Sequence, residues 1–168
     1  LPSTPRESLV SRGMRARLRW RDPRLRLYVM SAIGLFVGFS GIQQTLGFQL
    51  QDKLSLTGIQ TAQMTGAALM VSATFTFIMQ VTVMQRLKLR SLQFVRIGLL
   101  SMMFGAATIS ASDSFAVLAV GMAFLGAGLG LCMPAISAGA SLAVTPEEQG
   151  GAAGLISACP ALGFIAGP

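Results

Sequence analysis

Five long apolar stretches, separated by short polar links, decide what this 168-residue chain can become. They run from about 27–50, 60–84, 94–112, 115–144 and 146–168, and no Asp, Glu, Lys or Arg lies in their interiors. Each is close to the ~20 residues that a helix needs to cross ~30 Å of hydrocarbon. An unpaired backbone group is costly in lipid, so stretches joined by short links must be helices and not an open sheet. The fold class is therefore an all-α membrane protein with five transmembrane helices. Only 11% of the residues are charged. Ordinary soluble domains carry about 25%, so composition points the same way.

The basic residues assign the two sides of the membrane. Eight of the thirteen Lys and Arg lie in the first 26 residues. Arg86, Lys88, Arg90 and Arg96 bracket the link between the second and third stretches, whereas the first link holds only Lys53 and the third holds none. Lys and Arg resist translocation and mark cytoplasmic loops. Residues 1–26 thus read as a cytoplasmic basic segment, with Trp20 and Tyr28 at the lipid–water boundary. A net charge of +7 by itself would suit nucleic acid. Topology and contact with lipid headgroups account for these cations, so the expected partner is the bilayer and not a nucleic acid.

Other compositional facts narrow the chemistry. There is no His, which removes the commonest metal ligand and acid–base group. With no ionisable side chain at membrane depth either, neither a catalytic residue nor a metal site is expected, and the chain does not read as an enzyme. Cys132 and Cys159 both sit in apolar stretches and read as free packing thiols.

Local signals mark helix starts and close packing. Thr145-Pro146-Glu147-Glu148 has the form of a capping box, with Thr145 and Glu148 exchanging hydrogen bonds and Pro at the first helical position. Thr57-Gly58-Ile59-Gln60 repeats it more weakly. Gly121, Gly126, Gly128, Gly130 and Gly139 crowd the fourth stretch, where small residues let membrane helices approach closely. Pro134 in the same stretch predicts a bend near its centre.

What remains for ligand chemistry is amide and hydroxyl groups. Gln43 and Gln44 lie near mid-membrane and point about 100° apart, so they cannot both face one neighbour. Each is either interhelical glue or the lining of a polar cavity. Gln49 and Gln80 lie nearer the ends, within easier reach of water.

Gly154, Gly163, Gly167 and Pro168 form the pattern G-x8-G-x3-G-P. It resembles the antiporter motif of the major facilitator superfamily, whose x2-G-G continuation would lie beyond this chain. Gly130-Leu131-Cys132-Met133-Pro134-Ala135 and Thr145-Pro146-Glu147-Glu148-Gln149-Gly150 are similar to the tenth and eleventh spans of drug:proton antiporters. The link Gln85–Arg90 keeps the family's cations but lacks the Gly and Asp of its loop between spans two and three. The fourth stretch also lacks the Arg usual in span four, and a basic segment suits the family's central loop. The resemblance therefore implies spans seven to eleven of a partial major facilitator fold, a fragment of a longer chain that also has an N-terminal six-span half.

It implies further that Gln43, Gln44 and Met133 face a substrate cavity. Pro134, Gly154, Gly163, Gly167 and Pro168 would then supply bending and tight packing. The function implied is proton-coupled efflux of small amphiphilic compounds by alternating access, in a bacterial inner membrane. The energy source would be a proton gradient, with no bound cofactor. An uptake permease for sugars or organic anions, or a membrane assembly subunit without transport, are the competing readings.

Overall fold

The computed structural model describes residues 22–83 and 90–167, so the basic segment up to Arg21, the link containing Arg86 and Lys88, and Pro168 lie outside the described residues. Five helices long and apolar enough to cross a membrane are present, and no strand occurs among the described residues. The first, α1 (Pro23–Leu54), starts where the Asp22 carboxylate accepts from the Arg24 N–H at 3.0 Å. Pro23 occupies the first helical position, where its missing N–H would have had no intrahelical partner. The helix therefore begins ahead of the expected residue 27 and takes in Arg24 and Arg26. It ends at Ser55, which adopts a left-handed φ of 51°.

The next helix, α2 (Gly58–Ile78), starts at the predicted Thr57 cap, where the Thr57 N–H donates to Gln60 Oε1 at 3.1 Å. It continues as a π-helical turn, Met79–Val83. Then come α3 (Ser91–Ser110) and α4 (Phe115–Leu142). A short 3-10 turn, Pro146–Glu148, leads into α5 (Gln149–Ala166). Here the box forms through the Thr145 N–H, which donates to Glu148 Oε2 at 3.1 Å.

The helices alternate in direction. The start of α1 meets the start of α5 through Arg24 and Glu148, and the end of α1 meets the end of α3 through Lys53. The hub is α4, which packs on all four other helices. Of its apolar window 56% is buried, against 11% for α2.

Glycine makes that hub possible. A Cβ on Gly105 would lie 2.7 Å from the Gly121 carbonyl oxygen, so α3 and α4 touch backbone to backbone. A Cβ on Gly130 would lie 2.5 Å from the Thr76 carbonyl oxygen, which brings α2 equally close. Hydroxyls reinforce both contacts: Thr76 Oγ1 donates to Gly126 O at 2.9 Å, and Ser101 Oγ to Phe124 O at 2.7 Å. The expected packing role of this glycine cluster is what the structure shows.

Pro134 marks the position of the expected bend. The helix α4 runs unbroken through it, and a second proline, Pro160, sits inside α5 in the same way. A proline inside a helix removes one i→i−4 hydrogen bond. Cys132 and Cys159 are buried free thiols, as read from the sequence.

Candidate substrate cleft

Two clefts open between the helices that carry the predicted polar residues. The inner one, about 400 Å³, lies between α1, α2 and α4 and is lined by Gln43, Ser72, Thr76 and Gln80 with Phe39, Leu69, Phe77 and Leu129. The outer one, about 300 Å³, is lined by Gln80, Met133, Pro134 and Ser137. Gln80 belongs to both. No Asp, Glu, Lys or Arg lines either cleft.

The structure separates the predicted pair. Gln43 is half-buried and lines the inner cleft, while Gln44 is exposed and lines neither cleft. Adjacent helical residues diverge by about 100°, so only one of the two can turn toward α2. Met133, expected at a cavity, and Pro134, expected only as a bend, both line the outer cleft, with Met133 one turn of helix from Ser137.

Not every group in the inner cleft is free to meet a ligand. The Thr76 hydroxyl donates to Ser72 O and Gly126 O, both at 2.9 Å, and so is held by the helix packing. The other polar side chains lining the inner cleft are Ser72 and the amides of Gln43, half-buried, and Gln80, exposed, set among aromatic and aliphatic side chains.

The glycine motif divides in two. A Cβ on Gly163 would lie 2.8 Å from the Phe36 carbonyl carbon and 3.0 Å from the Val37 nitrogen. One on Gly167 would lie 2.8 Å from Ser40 Oγ. This half brings α5 onto α1. Gly154 is exposed, and a Cβ there would meet nothing within 4 Å among the described residues.

Three polar residues matter in ways the sequence reading did not anticipate. Gln80, set aside as near an end, lies in the π-helical turn and joins the clefts. Gln49, also set aside for water, instead donates through Nε2 to Ile109 O at 2.6 Å. Lys53, read only as a topology marker, donates to Ser112 O at 2.7 Å and Ser110 O at 3.0 Å. A signal for the last two existed: a cation and an amide one helical turn apart can reach the orphan carbonyls at another helix's end.

At the other end Arg24 spans two carboxylates. It contacts Asp22 Oδ2 at 2.9 Å and Glu148 at 3.0 and 3.2 Å. Side-chain and backbone hydrogen bonds from Arg24 hold the Asp22 carboxyl below its ordinary 3.8.

The profile of the Major Facilitator Superfamily matches residues 2–168. The chain belongs to the Major Facilitator Superfamily. No curated protein and no solved structure matches it. Membership makes this chain an integral membrane protein of the secondary-transporter class, with five helices forming part of a major facilitator fold. In a major facilitator protein, a cleft of this size between helices is a site where a small molecule can sit.

Proposed function

We propose that this chain is spans seven to eleven of a proton-coupled efflux transporter for small amphiphilic compounds. One observation carries the reading: two adjoining clefts, lined by amide, hydroxyl, aromatic and Met side chains, lie between α1, α2 and α4. Such a surface suits a ligand that is part apolar and part hydrogen-bonding. Neither cleft carries an Arg or Lys to meet an organic anion, which favours efflux of neutral or cationic compounds over anion uptake.

Nor do the clefts hold a carboxylate to carry a proton. In this reading the coupling residue belongs to an N-terminal six-span half, and the two halves rock about the bound substrate. The Gly163 and Gly167 contact keeps α5 rigid against α1 while they do so. The test is efflux of a fluorescent dye from cells or vesicles containing the full-length protein, before and after a protonophore collapses the gradient. Efflux that stops with the gradient is the expected result. Efflux indifferent to the gradient would remove the proton coupling, and none for any dye would remove the efflux reading.

A further inference from the structure

The polar residue with the least support from sequence is the best placed in the structure. Gln80 alone lines both clefts. It also lies in the π-helical turn Met79–Val83, which continues α2. Single π turns are uncommon and recur at functional sites, because widening the helix re-aims a side chain. Three independent facts thus meet at one amide: its position, its backbone and its chemistry.

Geometry gives that position a direction. Leu69 and Gln80 line the inner cleft from the same helix. They are separated by about 16 Å along its axis. The outer cleft begins at Gln80 and continues along α4 toward Ser137, near the helix end at Leu142. A molecule passing from the helix ends to the inner cleft therefore goes by Gln80. An amide offers one acceptor and two donors, so the same side chain can serve a ligand in either cleft.

The neighbours decide the ligand class. Met133 lies on the outer side and Phe39 and Phe77 on the inner side, giving adaptable and aromatic contact surface. No charged side chain lines either cleft, and a desolvated ion without a partner is costly to hold. We propose that Gln80 is a substrate-contacting specificity residue, and that it recognises the hydrogen-bonding group of an uncharged aromatic amphiphile. The proposal rests on the substrate-cleft reading above and adds its ligand class and its discriminating residue.

Equilibrium dialysis of the purified full-length protein tests it, with radiolabelled chloramphenicol as the uncharged probe and ethidium as the cationic one. Wild type is expected to bind chloramphenicol in preference to ethidium. Gln80→Leu, which keeps bulk and removes the amide, should weaken chloramphenicol binding about tenfold, as expected for the loss of one or two neutral hydrogen bonds. Gln80→Glu should reverse the preference toward ethidium, an exchange that a merely structural role for Gln80 would not produce. Gln63→Leu, an exposed position on the same helix that lines neither cleft, is the control and should bind as wild type does.

Wild type that binds no chloramphenicol, or Gln80→Leu that binds like Gln63→Leu, overturns the proposal. Proteoliposome transport of the same probes separates this from the functional reading. Binding that depends on Gln80 without any transport would keep the ligand site and sink the transporter assignment. Transport unaffected by Gln80 variants would do the reverse.

Discussion

Arg24 and Glu148, 124 residues apart in the chain, meet in a two-point ion pair at 3.0 and 3.2 Å. The same Glu148 carboxylate accepts the Thr145 N–H at 3.1 Å. One side chain thus starts a helix and ties that start to α1. Replacing it in stages separates the two jobs. Glu148→Gln keeps an acceptor for the cap and loses the charge, so in detergent it should melt no lower than Arg24→Ala, which also gives up the Asp22 pair. Glu148→Ala loses both and should melt lowest. In 1 M salt the first two should approach wild type, since the Debye length falls to about 3 Å. Equal melting of all three variants would sink the division.

Acid should weaken the other arm of Arg24. The Asp22 carboxyl is held below its ordinary 3.8 by the Arg24 hydrogen bonds, so folding favours its charged form. A lowered pKa adds stability above the unfolded value and loses it as pH falls through the folded one. The melting difference between wild type and Asp22→Asn should be constant from neutral pH down to about 5 and shrink progressively below it. A difference that grows on acidification would contradict the assignment.

Gly163 and Gly154 belong to one sequence motif but should respond in opposite ways to the same change. Gly163→Ala places a methyl 2.8 Å from the Phe36 carbonyl carbon. Overpacking of this kind costs about 1–3 kcal/mol. Gly154→Ala points into open space. There the better helix propensity of Ala should leave stability unchanged or raise it by up to ~1 kcal/mol. Thermal unfolding of the two variants side by side reads the contrast.

At the far end of α1, Gln49 and Lys53 hold the backbone that leaves α3. Gln49→Leu removes one donor from the Ile109 carbonyl, bonded at 2.6 Å in the native fold, and leaves it the Ser112 hydroxyl at 2.6 Å and the Ser112 N–H at 3.1 Å. The loss should cost about 0.5–1.5 kcal/mol, the range for one hydrogen bond whose acceptor keeps other donors. Hydrogen exchange at the end of α3 should quicken in this variant and not in Gln44→Leu.

Gln43 and Gln44 provide a functional contrast. Gln43 lines the inner cleft and Gln44 does not. Gln43→Leu in the full-length transporter should raise the KM for an effluxed dye about tenfold. Gln44→Leu should change it less than twofold. Equal effects would move the substrate away from the inner cleft.

Much of the fold was legible before any coordinates. Span number, the Thr57 and Thr145 caps, and the packing use of Gly121, Gly128 and Gly130 all follow from residues within about one helical turn or from uninterrupted apolar length. The candidate site was half legible. Gln43 was singled out because amides are uncommon at membrane depth, and Met133 because the stretch around it resembles the family's tenth span. Gln80 was passed over because distance from mid-membrane is a poor guide to which cleft a side chain lines. Gln49 and Lys53 were passed over because their acceptors are backbone carbonyls, which every sequence has.

The sequence by itself determined that this chain has five apolar helices, the caps at Thr57 and Thr145, and that no ionisable group lies deep within the spans. Those properties depend on hydrophobic length, capping chemistry and the cost of charge in lipid, all local or compositional. Only the tertiary structure decided that Arg24 reaches Glu148, that Gly163 packs on Phe36 while a Cβ on Gly154 would meet none of the described residues within 4 Å, and that Gln80 lines both clefts. A helix presents side chains all the way around. Which of them meet a neighbour depends on rotation and crossing of whole helices, and these are set by many small packing contacts at once.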